Sequence, residues 1–158
     1  MIGHPALVMA LALQVSVAAT SLQDVDSNGA VSRQHRGNGE MSIHVKIGDR
    51  ILTATLRDSA AARDFSRLLP LTLTMEDLFG REKYGHLPRA ISEDGRRSRT
   101  YEVGQIVYWS PGPDVAIYYR QDGQSIPAPG IVVLGKVEGD LHVLATGGAV
   151  KVTFERAQ

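Results

Sequence analysis

The sequence predicts a mainly β protein in which about eight antiparallel strands form a barrel, accompanied by one or two short helices. Apolar residues recur with a period of two in several short stretches, turn residues separate these stretches, and a single stretch shows helical spacing. The 16 glycines and the frequent turns favour a closed barrel over a sandwich.

Composition limits the classes of function. The chain has 158 residues, 43% hydrophobic and 22% charged, which suits one globular domain with its own core. The formal net charge is zero and no basic stripe is interleaved with aromatic residues, so we expect no nucleic-acid partner. Cysteine is absent, which excludes a disulfide scaffold, a thiolate nucleophile and a cysteine-bound metal.

The amino-terminal segment predicts secretion. Residues 1–19 contain no Lys, Arg, Asp or Glu, and their apolar run is too short to span a bilayer comfortably. The small residues 17–19, Val-Ala-Ala, are typical of a signal-peptidase site. We expect a signal peptide over 1–19, a mature chain starting near Thr20, a periplasmic or secreted location, and no membrane association after cleavage. The alternative is a start downstream of Met1, because the folded pattern begins only near Met41.

The first part of the folded domain is predicted to be a hairpin. Residues 20–40 are polar and rich in Gly, Ser and Asn, which is typical of a flexible linker, and the barrel domain is placed at 41–158. Residues 42–56 alternate apolar and polar side chains on both sides of Gly48-Asp49, which favours two strands joined by a turn.

A helix of about three turns is expected next. Residues 58–59, Asp-Ser, can accept hydrogen bonds from the free N–H groups of a first helical turn. Ala61, Phe65 and Leu68 then form one apolar stripe, and Pro70 ends the helix. Arg63 lies off this stripe. It is a candidate for a lip over a barrel mouth, and the alternative is an ordinary solvated helix face.

Residues 71–75 alternate as a third strand, whereas residues 76–95 show no clear periodicity and are expected to form a long loop. The loop contains Glu82, Tyr84 and His86, a set that can bind a polar ligand or transfer a proton from a rigid scaffold. The alternative is a solvated loop in which Glu82 forms an ion pair with a neighbouring Arg or Lys.

Residues 101–119, YEVGQIVYWSPGPDVAIYY, hold the only Trp and four of the five Tyr. The period of two predicts two strands starting at Tyr101 and joined by the turn 110–114. Three of these aromatics, Tyr108, Trp109 and Tyr118, are candidates for a shallow pocket that takes a peptide or a small ring compound, and the alternative for each is the core.

The barrel is closed by strands at 131–137, 141–144 and 150–154. The His residues lack the spacing of a metal site, since Glu82 and His86 are four apart in a non-helical context. No nucleophile elbow, phosphate loop or dinucleotide fingerprint is present in the sequence, so we predict no metal, no cofactor and no assigned catalytic residue.

Two long motifs resemble a known family. Residues 58–84, DSAAARDFSRLLPLTLTMEDLFGREKY, and residues 101–119 are similar to two signatures of small bacterial and archaeal cyclophilin-like proteins. Residues 131–135 and 150–154 fit the closing strands of that family. The resemblance covers roughly 41–154, and it implies an eight-stranded antiparallel barrel related to cyclophilin and capped by a helix.

The resemblance implies a fold more firmly than an activity. Enzymatic cyclophilins are peptidyl-prolyl isomerases that use a strand Arg beside a proline pocket lined by Phe, Gln, Trp and His. Their phenylalanine-histidine-arginine and glutamine-glycine-glycine-aspartate stretches are missing from this sequence. We therefore expect a barrel that binds a small molecule or peptide without catalysis. The alternatives are a divergent prolyl isomerase and an interaction module that uses an exposed strand edge. The candidate ligand-binding residues are Arg63, Glu82, Tyr84, Tyr108, Trp109 and Tyr118.

Overall fold

A computed structural model describes residues 39–158. The signal peptide predicted at 1–19 and residues 20–38 of the predicted linker lie outside this range. The strands in chain order are β1 (Met41–Ile47), β2 (Arg50–Leu56), β3 (Leu71–Leu78), β4 (Glu82–His86), β5 (Arg96–Ser98), β6 (Gln105–Trp109), β7 (Asp114–Tyr118), β8 (Ile131–Glu138) and β9 (Val150–Arg156). The helices are α1 (Ala60–Ser66) and a 3-10 helix (Leu141–Leu144).

Eight of these strands form a closed barrel. Their order is β2-β1-β9-β3-β4-β7-β6-β8, and β8 pairs with β2 to complete the circle. Every pairing is antiparallel, which confirms the predicted eight-stranded antiparallel barrel. The short β5 is a ninth strand, and it pairs with the first residues of β8.

The helix begins where the sequence predicts it, but it ends at Ser66 and is shorter than the expected three turns, so Leu68 lies beyond it. Ser59 is its N-cap, and its hydroxyl accepts a hydrogen bond from the amide of Ala62 at 3.2 Å. Phe65 is fully buried and packs edge-on against Phe154 of β9, with 5.4 Å between ring centroids. The apolar stripe of α1 therefore extends the barrel core.

The buried apolar residues form two clusters on opposite faces of the sheet. The larger cluster fills the barrel interior and includes Ile106, Tyr108 and Ile117. The smaller lies on the outer face and consists of Tyr101, Val107, Ala116, Tyr118, Ile126 and Ile131. The sheet is therefore covered on both sides at β6 and β7, as expected for strands with large apolar groups on both faces.

One prediction was wrong in a way that affects the site. Residues 76–95 were expected to be a loop, but β3 continues to Leu78 and Glu82–His86 is a barrel strand, β4. The two inward positions of β4 are taken by Gly85 and by a charged residue, Lys83, which is 0% exposed. Its ammonium donates to Oδ2 of Asp77 at 2.9 Å and to two backbone carbonyls of residues 146 and 148. The apolar alternation that marks a strand in sequence is therefore missing here.

Three further boundaries differ from the sequence prediction. Residues 141–144 form a 3-10 helix instead of a strand, because the Asp140 side chain accepts from the amide of His142 and starts a helical turn. The strand expected from Tyr101 begins at Gln105, after a turn in which Gly104 has φ +93°. Strand β5 was not predicted. Within residues 39–158, no helix is long and apolar enough to cross a membrane.

Candidate functional site

The candidate site lies on the outer face of the barrel, across β4, β7 and β6. Successive strand residues point to opposite faces, so Glu82 and Tyr84 face outward while Lys83 faces the interior. On β7, Tyr118 is the ladder partner of Glu82. Ala116 is the partner of Tyr84, and it continues the same row toward β6. The register therefore brings these outward side chains into adjacent rows.

A depression of about 360 Å³ opens over these rows. Its lining residues are Leu78, Phe79, Arg81, Glu82, Tyr84, Val107, Trp109, Asp114, Ala116, Tyr118, Ile126, Pro127 and Ile131. The lining combines small and branched apolar side chains with four aromatic ones, and its charged groups are few. This composition is typical of a site for a small organic ligand.

A tight turn forms one rim of the depression. Between β3 and β4, Phe79 and Gly80 have φ values of +56° and +60°, and the amide of Gly80 donates to Oδ1 of Asp77 at 2.8 Å. Positive φ is uncommon and strained for a bulky residue such as Phe. This turn nevertheless leaves the Phe79 side chain 72% exposed beside the depression.

Arg81 follows that turn and forms the charged end of the depression. The residue is 7% exposed. Its Nη1 donates to Oδ2 of Asp122 at 3.1 Å, and its Nη2 donates to Oε1 of Glu82 at 3.4 Å. The guanidinium carbon also lies 5.1 Å from the ring centroid of Phe79 and 5.4 Å from that of Tyr101. Carboxylates and aromatic rings therefore surround this cation.

Three acidic groups at this end of the depression have shifted pKa values. Glu82 is 4% exposed, and burial raises the pKa of its carboxyl although the Tyr118 hydroxyl and the Arg81 guanidinium partly oppose the rise. Burial and the adjacent Glu82 carboxylate raise the pKa of Tyr118 well above its usual range. Asp122 shows the opposite shift, because a hydrogen bond from the Tyr101 hydroxyl lowers its pKa. Glu82 and Tyr118 therefore form a buried pair in which burial disfavours the charged form of each group.

The opposite end of the depression is formed by the β6–β7 hairpin. Asp114 is the ladder partner of both Trp109 on β6 and His86 on β4. Nδ1 of the exposed His86 lies 3.1 Å from Oδ1 of Asp114. Trp109 is only partly buried, and it packs against the outer cluster as a wall of the depression.

The structure brings four of the six predicted ligand-binding residues together. Glu82, Tyr84, Trp109 and Tyr118 all line the depression. The other two lie elsewhere. Tyr108 alternates to the barrel interior, where its hydroxyl accepts from the amide of Ile91 at 3.4 Å.

Arg63 also lies away from the depression. It is exposed on α1 and pairs with Asp58, which belongs to a different surface depression. The strand period could have separated Tyr108 from Trp109 in advance, because neighbours on one strand cannot face the same pocket. For Arg63, the sequence predicts the helix face on which it lies but not the distance between that helix and the aromatic hairpin.

Several residues that line the site were not predicted from the sequence. The sequence suggests Arg81 only as one possible ion-pair partner of Glu82, and the structure contains that ion pair. Phe79 carries a weak local signal, since Phe-Gly between two strands is compatible with a hairpin turn. Ile126 and Pro127 come from the 119–130 connection, and only the folded chain places them over β6 and β7.

The arrangement is suited to recognition of an organic ligand. It offers flat apolar contacts, one guanidinium, two carboxylates and two tyrosine side chains. In the described part of the chain, no three His, Cys, Asp or Glu side chains are grouped closely enough to hold a metal ion.

Comparisons with known proteins agree with the fold. The chain is similar to the solution structure of the hypothetical protein AF2241 from Archaeoglobus fulgidus, with a TM-score of 0.60 and 20% sequence identity. The similarity covers 76% of this chain and 97% of that one. A search among curated proteins finds no match. The sequence model of the cyclophilin-like family matches residues 45–155, which confirms the resemblance found in the two motifs, and the chain belongs to the cyclophilin-like family.

Proposed function

We propose that this chain is a periplasmic or secreted binding protein that holds a small molecule or a short peptide in the outer-face depression. One observation carries the proposal: outward residues of three strands converge on a single concavity with an apolar floor and a charged end. A purely structural barrel has no need to keep Phe79 strained and exposed beside a buried Arg–Glu pair.

The secretory part of the proposal rests on the sequence of residues 1–19, which resembles a signal peptide. The binding part rests on the depression. The two parts are independent, since a cytoplasmic barrel would present the same concavity.

The experiment is a fragment screen on the uniformly ¹⁵N-labelled chain, followed by backbone amide shifts. We expect bound fragments to shift the amides of Val107, Ala116 and Tyr118. Tyr84→Ala should weaken these fragments at least tenfold, because it removes one aromatic wall. Thr72→Ala, on the exposed face of β3, is the matched control and should leave binding unchanged. A screen whose hits all lie away from β4, β6 and β7 would contradict the proposal.

A second candidate function is prolyl isomerisation. It is favoured by one feature, a buried guanidinium at the edge of an apolar depression, because a donor beside a proline ring can stabilise the rotated amide. The uncatalysed barrier is about 18–20 kcal/mol, so even modest stabilisation gives a measurable acceleration. NMR exchange on X-Pro peptides tests it, and acceleration that survives both Tyr118→Ala and Arg81→Lys would place any activity outside this depression.

A further inference from the structure

The charged end of the depression contains a donor that the protein leaves unused. Among the described residues, none accepts a hydrogen bond from Nε of Arg81, although this atom is buried. The other two guanidinium nitrogens have carboxylate partners. Nearly all buried donors in folded proteins are paired, and an unpaired one lowers stability. Other atoms of Arg81 line the depression, so a small rotation of this side chain would present the unpaired donor to an acceptor supplied by a ligand.

An acceptor lies next to this donor. The buried Glu82 carboxylate accepts from the Tyr118 hydroxyl and makes a long contact of 3.4 Å with Arg81. A carboxylate has about four acceptor positions, so it keeps capacity for a further hydrogen bond. Since Arg81 and Glu82 are consecutive and both line the depression, a ligand there meets a donor and an acceptor side by side.

The charge balance at this end disfavours charged ligands. Arg81 is in contact with two carboxylates, Glu82 and Asp122. An anion would approach both carboxylates, so it would lose its hydration without gaining a free counter-charge. A cation would meet one negative charge in excess, but it would also approach the guanidinium and would offer Nε of Arg81 no acceptor. A neutral ligand with an acceptor group avoids both problems.

The rest of the depression restricts the shape of the ligand. Ala116 lies between its ladder partners Tyr84 and Val107. These three residues, one from each strand, form a flat strip across β4, β7 and β6. Trp109 closes the far side. A volume of about 360 Å³ suits a compound of one or two fused rings.

We propose that the depression binds a neutral planar ring compound through a lactam edge, with the ligand carbonyl accepting from Arg81 and the ligand N–H donating to Glu82. A cyclic amide presents its N–H and C=O on the same side, whereas a trans peptide presents them on opposite sides. This inference rests on the proposed function, and within it favours small cyclic compounds over extended peptides.

Titration of the full chain with four matched probes tests the proposal: 2-quinolinone, its N-methyl derivative, quinoline, and quinoline-2-carboxylate as the anion. We expect 2-quinolinone to bind at least tenfold more tightly than each of the others and to shift the Val107 and Ala116 amides. Arg81→Lys keeps the charge but removes Nε and the planar fork, so it should abolish the preference. Arg63→Lys is the same substitution at an exposed helix position and should preserve it.

Binding of the four probes to the wild-type protein tests the lactam proposal even if Arg81→Lys does not fold. Equal binding of 2-quinolinone and its N-methyl derivative would overturn the lactam proposal while leaving the binding function intact. Tighter binding of the carboxylate would also overturn it. If none of the four probes binds, the lactam proposal is lost, and the fragment screen then judges the binding function separately.

Discussion

The ring of Tyr101 lies stacked on the ring of Tyr118, with 4.0 Å between centroids and 17° between planes. Tyr101 belongs to the segment before β6, and its hydroxyl donates to Asp122 and accepts from the Asp122 amide. The Tyr118 hydroxyl faces Glu82. This stack therefore joins the segment before β6 to the wall of the depression. The Tyr101 hydroxyl also holds Asp122 in the position where it pairs with Arg81.

Tyr101→Phe should keep the stack and lose the hydrogen bonds to Asp122. We expect a loss of about 1.5–3 kcal/mol in the free energy of unfolding, against about 3–5 kcal/mol for Tyr101→Ala, which also removes the buried ring. Urea denaturation measures both. The Phe variant should also raise the pKa of Asp122 toward its ordinary value, observable by carboxyl NMR titration. A Tyr101→Phe variant as stable as the wild type would show that the hydroxyl makes no separate contribution, and equal destabilisation by the two variants would show that the buried ring makes none.

Trp109→Ala and Tyr108→Ala compare neighbours on opposite faces of β6. Tyr108 is 1% exposed in the barrel core, and its loss should cost about 3–5 kcal/mol of stability. Trp109 is only partly buried, so its loss should cost less, about 1–3 kcal/mol, and should weaken bound fragments. Thermal unfolding with fragment titration measures both effects. A larger stability loss at Trp109 than at Tyr108 would assign the indole to the core.

Lys83→Met should destabilise the barrel by about 3–5 kcal/mol. The substitution keeps the length of the side chain but leaves Asp77 and the carbonyls of residues 146 and 148 without their buried cation. Lys136→Met is the control, because its pair with Glu102 is exposed and should contribute about 0–1 kcal/mol. Similar losses in the two variants, measured by denaturant unfolding, would contradict a structural role for the buried ammonium.

Glu82→Gln should change how stability depends on pH. Burial raises the pKa of Glu82 above its ordinary 4.5, so the folded state holds this proton more tightly than the unfolded state. The wild type should therefore lose stability relative to Glu82→Gln as pH rises from 4.5 through the folded-state pKa, and the gap should then level off. Unfolding free energies of both proteins across that range measure the gap.

Asp122→Asn gives a control of opposite sign for this pH series. The hydrogen bond from Tyr101 lowers the pKa of Asp122 below 3.8, so its contribution is present above that value and is lost as pH falls through the folded-state pKa. A wild-type curve parallel to that of Glu82→Gln at every pH would argue against the raised Glu82 pKa.

Export should produce a mature chain that begins near Thr20. Expression with its own leader, followed by mass spectrometry of the amino-terminal peptide, tests this. Replacing residues 17–19 with bulky residues should block cleavage. Protein recovered with Met1 intact from cells able to secrete would contradict the signal peptide.

The barrel fold, the start of its helix and most of its turns were predictable from the sequence alone. These features are local: the alternation in β1, β2 and β7, the Ser59 cap and the Gly48 turn each depend on residues a few positions apart. Two motifs within residues 45–155 were enough to identify the family. Such signals survive in the sequence because strand period and turn geometry are properties of short segments.

The position of β4 and the residues that meet at the site depend on contacts between distant parts of the chain. Lys83 is tolerated inside the barrel because carbonyls 63 and 65 residues away accept hydrogen bonds from its ammonium, and no local sequence pattern predicts that arrangement. Likewise, Arg81 meets Asp122 41 positions later, and it reaches the depression beside Glu82 because β4 pairs with β7. Hydrogen bonds and ion pairs between distant segments depend on which strands become neighbours, and that is fixed only when the barrel closes.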